Sequence, residues 1–209
     1  MTFEPAFKEA LKLIPEKEKD KLILRLLKYD LKLVKRLKFE LIEEDSVEDK
    51  RAEMISYIET RIKMAVEIYY SAGYLLMDLR EISGEINSHI YTTKDKFGEI
   101  SLNCLMLRFV LELTNEKISE ENRDESYRLY IYIVARIFKI LILIQKQHED
   151  LHLEFRDDMG VIGYYIGKNK KLKELAIKNG LDINWLSKLN IPEDIVEIHK
   201  ELRNNGFLK

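Results

Sequence analysis

The stretch at residues 127–144, reading YRLYIYIVARIFKILILI, constrains the fold more than any other part of the chain. About 18 apolar residues suffice for a membrane span. Arg128, Arg136 and Lys139 argue against one here, because charges near mid-bilayer cost several kcal/mol each. Wound as a helix, Arg128, Tyr132, Arg136, Lys139 and Lys146 fall on one narrow stripe. The rest of the circumference is apolar, from Tyr130 and Ile131 through Phe138 to Ile144. A helix apolar on most sides is surrounded by other helices. The stretch is therefore expected as the central helix of an all-α bundle, with one edge reaching water. Its β-branched content would suit a strand, but strands rarely run so far without a turn signal.

Eight glycines and three prolines in 209 residues predict long uninterrupted elements around one core. Charged residues make up 34% and hydrophobic ones 46%, which fits solvated helix faces and not disorder. A formal charge of −2 gives no general attraction to nucleic acid or to a membrane surface. The single cysteine, Cys104, rules out internal disulfides and suits a reducing compartment. The opening MTFEPAFKEALKLI has no basic stretch followed by an apolar core, so no secretory signal is expected. A soluble, cytoplasmic protein with no membrane anchorage is the expectation.

In chain order, three short helices come first: one capped by Thr2, one opened by Pro15, one restarted by Asp30. Leu22, Ile23, Leu26 and Leu27 are expected as the buried face of the second. Leu31, Val34, Leu37 and Leu41 are expected inward on the third. Longer helices follow. Ser46 and Asp49 form a capping box, with Val47, Met54, Ile58, Ile62, Ala65 and Tyr69 inward and a break at Ser71-Ala72-Gly73. Thr92 and Asp95 form the next capping signal, and Phe97, Ile100, Cys104, Leu107 and Leu111 make a packing seam. The pattern then stays helical through the central stretch to Gly167, with Gly160, Gly163 and Gly167 sharing a face that suits close helix packing. Short helices end the chain, one closed by Asn179-Gly180 and the last opened by Pro192. The organisation expected is an N-terminal short-helix cap at 1–45, a long-helix core at 46–168 and a C-terminal cap at 169–209, with the caps resembling helical-repeat ends.

One pentapeptide could carry chemistry. His148-Glu149-Asp150-Leu151-His152 matches H-E-x-x-H, which on a helix puts two imidazoles on one face for zinc and a glutamate beside the bound water. Over these five residues the chain resembles the zincin metalloproteases. The resemblance implies His148 and His152 as ligands of zinc or another divalent metal and Glu149 as general base. Asp150 departs from the uncharged residue usual there, and Glu174, Glu193, Glu197 and His199 compete as third ligand. Glu149 with His152, and Glu85 with His89, make a partial match to a ferritin-like di-metal bundle. The pairs Glu121 with Asp124 and Glu154 with Asp157 resemble the magnesium-holding carboxylates of all-helical nucleotide pyrophosphohydrolases. The plainer reading of HEDLH is an exposed, polar helix end.

Basic faces at Lys28, Lys32, Lys35, Arg36, Lys38 and at Lys168, Lys170, Lys171, Lys173 lack interleaved aromatics, and nucleic acid is not expected as a partner. Tyr57, Tyr69, Tyr70 and Tyr74 cluster near Gly73 and suit a polar pocket or an interface. Without a strong catalytic constellation, the chain reads as a non-enzymatic interaction or scaffold protein, needing no cofactor and binding a protein partner or itself. A metal-dependent hydrolase built on HEDLH is the alternative.

Overall fold

The computed structural model describes residues 3–209, and among them all regular structure is helical, with no strand. Three short helices, α1 (Pro5–Leu13), α2 (Glu16–Leu27) and α3 (Leu31–Leu41), precede four long ones. These are α4 (Val47–Glu67), α5 (Ala72–Thr93), α6 (Lys96–Glu120) and α7 (Arg123–Gln145). Then come α8 (Glu149–His152), a 3-10 turn at Leu153–Phe155, α9 (Arg156–Lys168), α10 (Lys170–Lys178), α11 (Asn184–Ser187) and α12 (Ile195–Asn204). Thr2, expected as the first cap, lies outside the described residues.

The central stretch is α7. Helices α5, α6, α10 and α12 pack around it, and its apolar residues from Leu129 to Ile144 supply the middle of the core. The polar stripe does not simply reach water. Tyr132 and Arg136 are half-buried and face a seam between α5 and α6. The Tyr132 hydroxyl pairs with that of Ser83 and donates to the Leu79 carbonyl at 3.1 Å. Arg136 donates to Tyr132 and to Asn103 Oδ1, both at 3.2 Å, and Lys139 pairs with Glu99 at 2.9 Å. Burying a polar group costs stability unless it is hydrogen-bonded, and here neighbouring helices supply the partners.

Helix α4 follows its expected pattern. Ser46 and Asp49 form the reciprocal capping box, and Ile58, Ile62 and Ala65 are buried while Glu53, Ser56, Thr60 and Lys63 are exposed. The α4–α5 break is held from a distance. The Glu121 carboxylate accepts the Ala72 amide at 2.8 and 3.1 Å and the Tyr69 hydroxyl. An anion at a helix N-terminus is favoured there by the helix dipole. On α6 the seam from Ile100 to Leu111 is fully buried.

The continuous helix expected to run through to Gly167 is interrupted at residues 146–148. The C-terminal short helices belong to the main core. Leu172, Leu175, Ala176, Leu181, Leu186, Ile195 and Leu208 join the same cluster of buried residues as α7. Asn179 fastens this end by accepting the Leu208 amide at 2.8 Å. Beside it Gly180 adopts φ +78°, with Leu202 packed so close that a Cβ would meet it at 2.8 Å. The N-terminal end behaves differently. No described residue before Ile58 is buried. Leu22, Leu27, Val34 and Leu37 are only half-buried, and Ile23, Leu26, Leu31 and Leu41, expected inward, are exposed.

Candidate functional site

Helices α1–α3 form an arm anchored through α3, which packs beside the C-terminal half of α5. Arg36 pairs with Glu40 at 2.8 Å and lies over the Tyr91 ring, and Glu40 meets Lys94 at 3.6 Å. Helix α2 touches α3, while α1 is linked on through the Ile14-Pro15 corner. The arm's apolar spacing is helical, and Asp30 caps α3 by accepting the Leu33 amide at 2.9 Å. A helix of this length is marginal in water unless tertiary packing covers its apolar face. Much of that face is open here. Phe7, Ile23 and Leu26 are 49, 51 and 59% exposed, and the Phe3 and Phe7 rings meet at a tilt, 5.6 Å apart, in the open.

The area agrees. The chain exposes 13254 Å² for its 24.9 kDa, whereas a compact monomer of that mass exposes roughly 10,200 Å². The excess, about 3,000 Å² on that scaling, is what an arm projecting from a bundle adds. A second apolar face lies at the α4–α5 turn, where Met64, Ile68, Tyr70, Tyr74 and Met77 are all exposed and Tyr70 and Tyr74 meet edge-on at 5.3 Å. The expected tyrosine cluster is thus divided. Tyr57 lines a cleft between α4 and α5, Tyr69 is turned to Glu121, and only Tyr70 and Tyr74 stand together.

HEDLH folds differently from its helical expectation. His148 has extended backbone (φ −62°, ψ 142°) and is the N-cap of α8, a helix of four residues. The two histidines therefore do not share a helix face. The His148 Nδ1 accepts the Asp150 amide at 3.4 Å and lies 3.2 Å from the Asp150 carboxylate, while His152 Nε2 meets the Gln147 carbonyl at 3.2 Å. The residue types also suit a helix start: a side-chain acceptor at the cap, then Glu149 and Asp150 in the first turn. Among the described residues no group of three or more His, Cys, Asp or Glu side chains stands close enough to hold a metal ion. His199 is packed against the Phe138 ring at 5.5 Å, and Glu193 and Glu197 are exposed. Glu121 is committed to the α5 N-terminus, and Asp124, Glu154 and Asp157 are exposed.

The basic faces are divided as well. Lys171 caps α6 by donating to the Ser119 and Glu121 carbonyls at 2.9 and 2.5 Å, and Lys168 lies over Tyr164. Cys104 is fully buried, and burial pushes its thiol pKa well up, so it is inert. Of Gly160, Gly163 and Gly167, only Gly163 is closely approached, by Leu186 of α11.

One cluster was only half readable in the sequence. Arg51 of α4 grips Asp95, the N-cap of α6, through two hydrogen bonds of 2.6 and 2.7 Å. The Asp95 carboxylate also accepts the Gly98 amide at 2.7 Å and lies 3.4 Å from His89 Nε2. Burial alone would raise the Asp95 pKa, but Arg51 and the Gly98 amide hold it below its ordinary value. Burial lowers the His89 pKa, against the pull of Asp95. Outside this cluster opens a cleft of about 300 Å³ edged by Lys50, Glu53 and Glu85. Only the capping half of the cluster was legible, as Asp95. The Arg51 contact spans 44 positions and has no local period.

No family model, curated protein or solved structure matches this chain.

Proposed function

We propose that this chain is a non-enzymatic interaction protein, in which a folded helical bundle carries an N-terminal arm that docks onto another protein surface. One observation carries the reading. Helices α1–α3 have amphipathic spacing, yet no residue of theirs is buried. Exposed apolar patches of this extent are found at interaction sites. The aromatic and aliphatic anchors Phe3, Phe7, Ile23 and Leu26 are suited to filling pockets on a partner. A reducing, cytoplasmic setting fits the buried free thiol of Cys104. No helix among the described residues is long and apolar enough to cross a membrane.

The reading separates docking from folding, and that separation is testable. Phe7→Glu, Ile23→Glu and Leu26→Glu combined should leave unfolding of the isolated chain at nanomolar concentration within about 0.5 kcal/mol per site, as for surface positions. Urea titration followed by Trp185 fluorescence reads this out. A loss of several kcal/mol would place the face in the chain's own core and end the docking reading.

A further inference from the structure

The docking reading does not say what the arm seats on, and the inference that follows rests on it. We propose that the occupant is a second copy of this chain: the arm of each protomer seats on the Tyr70, Tyr74 and Met77 face of the other, reciprocally. Two open apolar faces are present on one chain, and the arm's anchor and the second face lie at opposite ends of the long α4–α5 pair. The arm is anchored near Tyr91 and Lys94, at the C-terminal end of α5. The receiving face lies at the other end, around Tyr74 and Met77, both more than half exposed.

Helix α5 has 22 residues and spans about 33 Å, and α1 and α2, of 9 and 12 residues, are about 14 and 18 Å long on either side of the Ile14-Pro15 corner. A two-fold axis that sets the bundles antiparallel brings the arm end of one beside the receiving end of the other. Both contacts then form at once and the assembly closes.

Area and charge favour this occupant. A standard interface buries roughly 800 Å² per partner, far less than the excess exposed here. Covering half of that excess, about 1,500 Å² per chain, already reaches the size class of permanent homodimers. A single arm on an unrelated protein would leave the Tyr70–Met77 face open. Residues 1–45 carry eleven Lys or Arg against ten Asp or Glu, a net charge of only +1 that gives a nucleic acid or an anionic membrane little to attract. Between Met64 and Arg80 the receiving face has Glu67, Asp78 and Arg80, so the two surfaces meet without charge repulsion. Methionine and tyrosine are the residue types enriched in such contacts.

Sedimentation equilibrium on the full chain from 1 to 100 µM tests the proposal, with mixed-chain disulfide trapping beside it. The expected result is twice the chain mass at micromolar concentration. Tyr74→Glu with Met77→Glu should weaken association at least tenfold and leave the urea midpoint of the dissociated chain unchanged. When a Phe7→Cys chain is mixed with a Tyr74→Cys chain, the disulfide should join the two different chains. A monomer at every concentration would overturn the second-copy proposal while leaving the docking reading intact. A dimer insensitive to the receiving-face substitutions, or trapped only between two Phe7→Cys chains, would overturn the placement. Failure of the docking reading itself shows elsewhere, as lost stability of the isolated chain on arm substitution.

Discussion

Arg51 Nε lies 2.6 Å from Asp95 Oδ2 and its Nη2 lies 2.7 Å from Oδ1, joining the second turn of α4 to the start of α6. The Asp95 side chain is 3% exposed and that of Arg51 19%. Removing one partner of such a pair strands a buried charge and costs about 3–5 kcal/mol. Arg51→Ala is expected to cost about 3 kcal/mol in urea unfolding, and Arg51→Met with Asp95→Asn less than the sum of the two single changes. A cost under 1 kcal/mol for Arg51→Ala would show the contact to be incidental.

The glycines give a second prediction with opposite signs. A Cβ on Gly98 would sit 1.9 Å from Asp95 Oδ2, in the space the carboxylate occupies while held by Arg51. Gly98→Ala should therefore destabilise, by unseating that carboxylate. Gly84 and Gly160 lie inside helices with nothing within 4 Å of a Cβ. Alanine at either should stabilise by about 0.5–1 kcal/mol through helix propensity. Thermal unfolding of the three variants checks all the signs at once.

The third prediction concerns acid. His89 is held below its ordinary pKa by burial, and His199 by burial and by Arg203. Both rings bind a proton more readily unfolded than folded. Their contribution is complete above the ordinary histidine pKa of about 6.5 and is lost as pH falls through it toward the lowered folded values. The groups facing His89 are Asp95 and Arg51, with Lys50, Glu53 and Glu85 around the adjoining cleft. Asp95, itself lowered, contributes in the same direction but only in the more acid range below the usual carboxylate pKa. Tm should be flat from pH 8 to 7 and fall between 6.5 and 5. His89→Gln with His199→Gln should flatten that fall, and an unchanged slope would contradict the assignment.

The fourth concerns HEDLH. His148 acts as a helix cap, and aspartate and asparagine are better caps. His148→Asp is expected to keep or raise thermal stability, and zinc added to the wild-type chain should not raise Tm. A zinc-dependent rise lost in His148→Ala would restore the metal-binding alternative.

The sequence carried the helices because periodicity is local. The capping box at Ser46, the seam from Ile100 to Leu111 and the apolar girth of α7 each follow from spacing alone. Two things were not legible. Contacts such as Arg51 with Asp95 and Glu121 with the Ala72 amide depend on which helix ends meet, and no local pattern encodes that. Amphipathic spacing also says that a face must be covered without saying by what. Ile23, Leu26 and Leu31 thus looked like core residues, and the structure leaves them open. HEDLH was ambiguous for a related reason: acidic residues behind a polar cap start a helix as readily as a metal motif sits within one.

Photo-crosslinking in cells tests the docking arm most directly. A crosslinking amino acid would replace Phe7 or Ile23 on the arm, and Ile177 on α10 as an equally exposed control at 57%. The account predicts discrete protein adducts from the two arm positions and few or none from Ile177, with an adduct mass that shows whether the partner is a second copy. Equal yields from all three positions, or none from the arm, would contradict it.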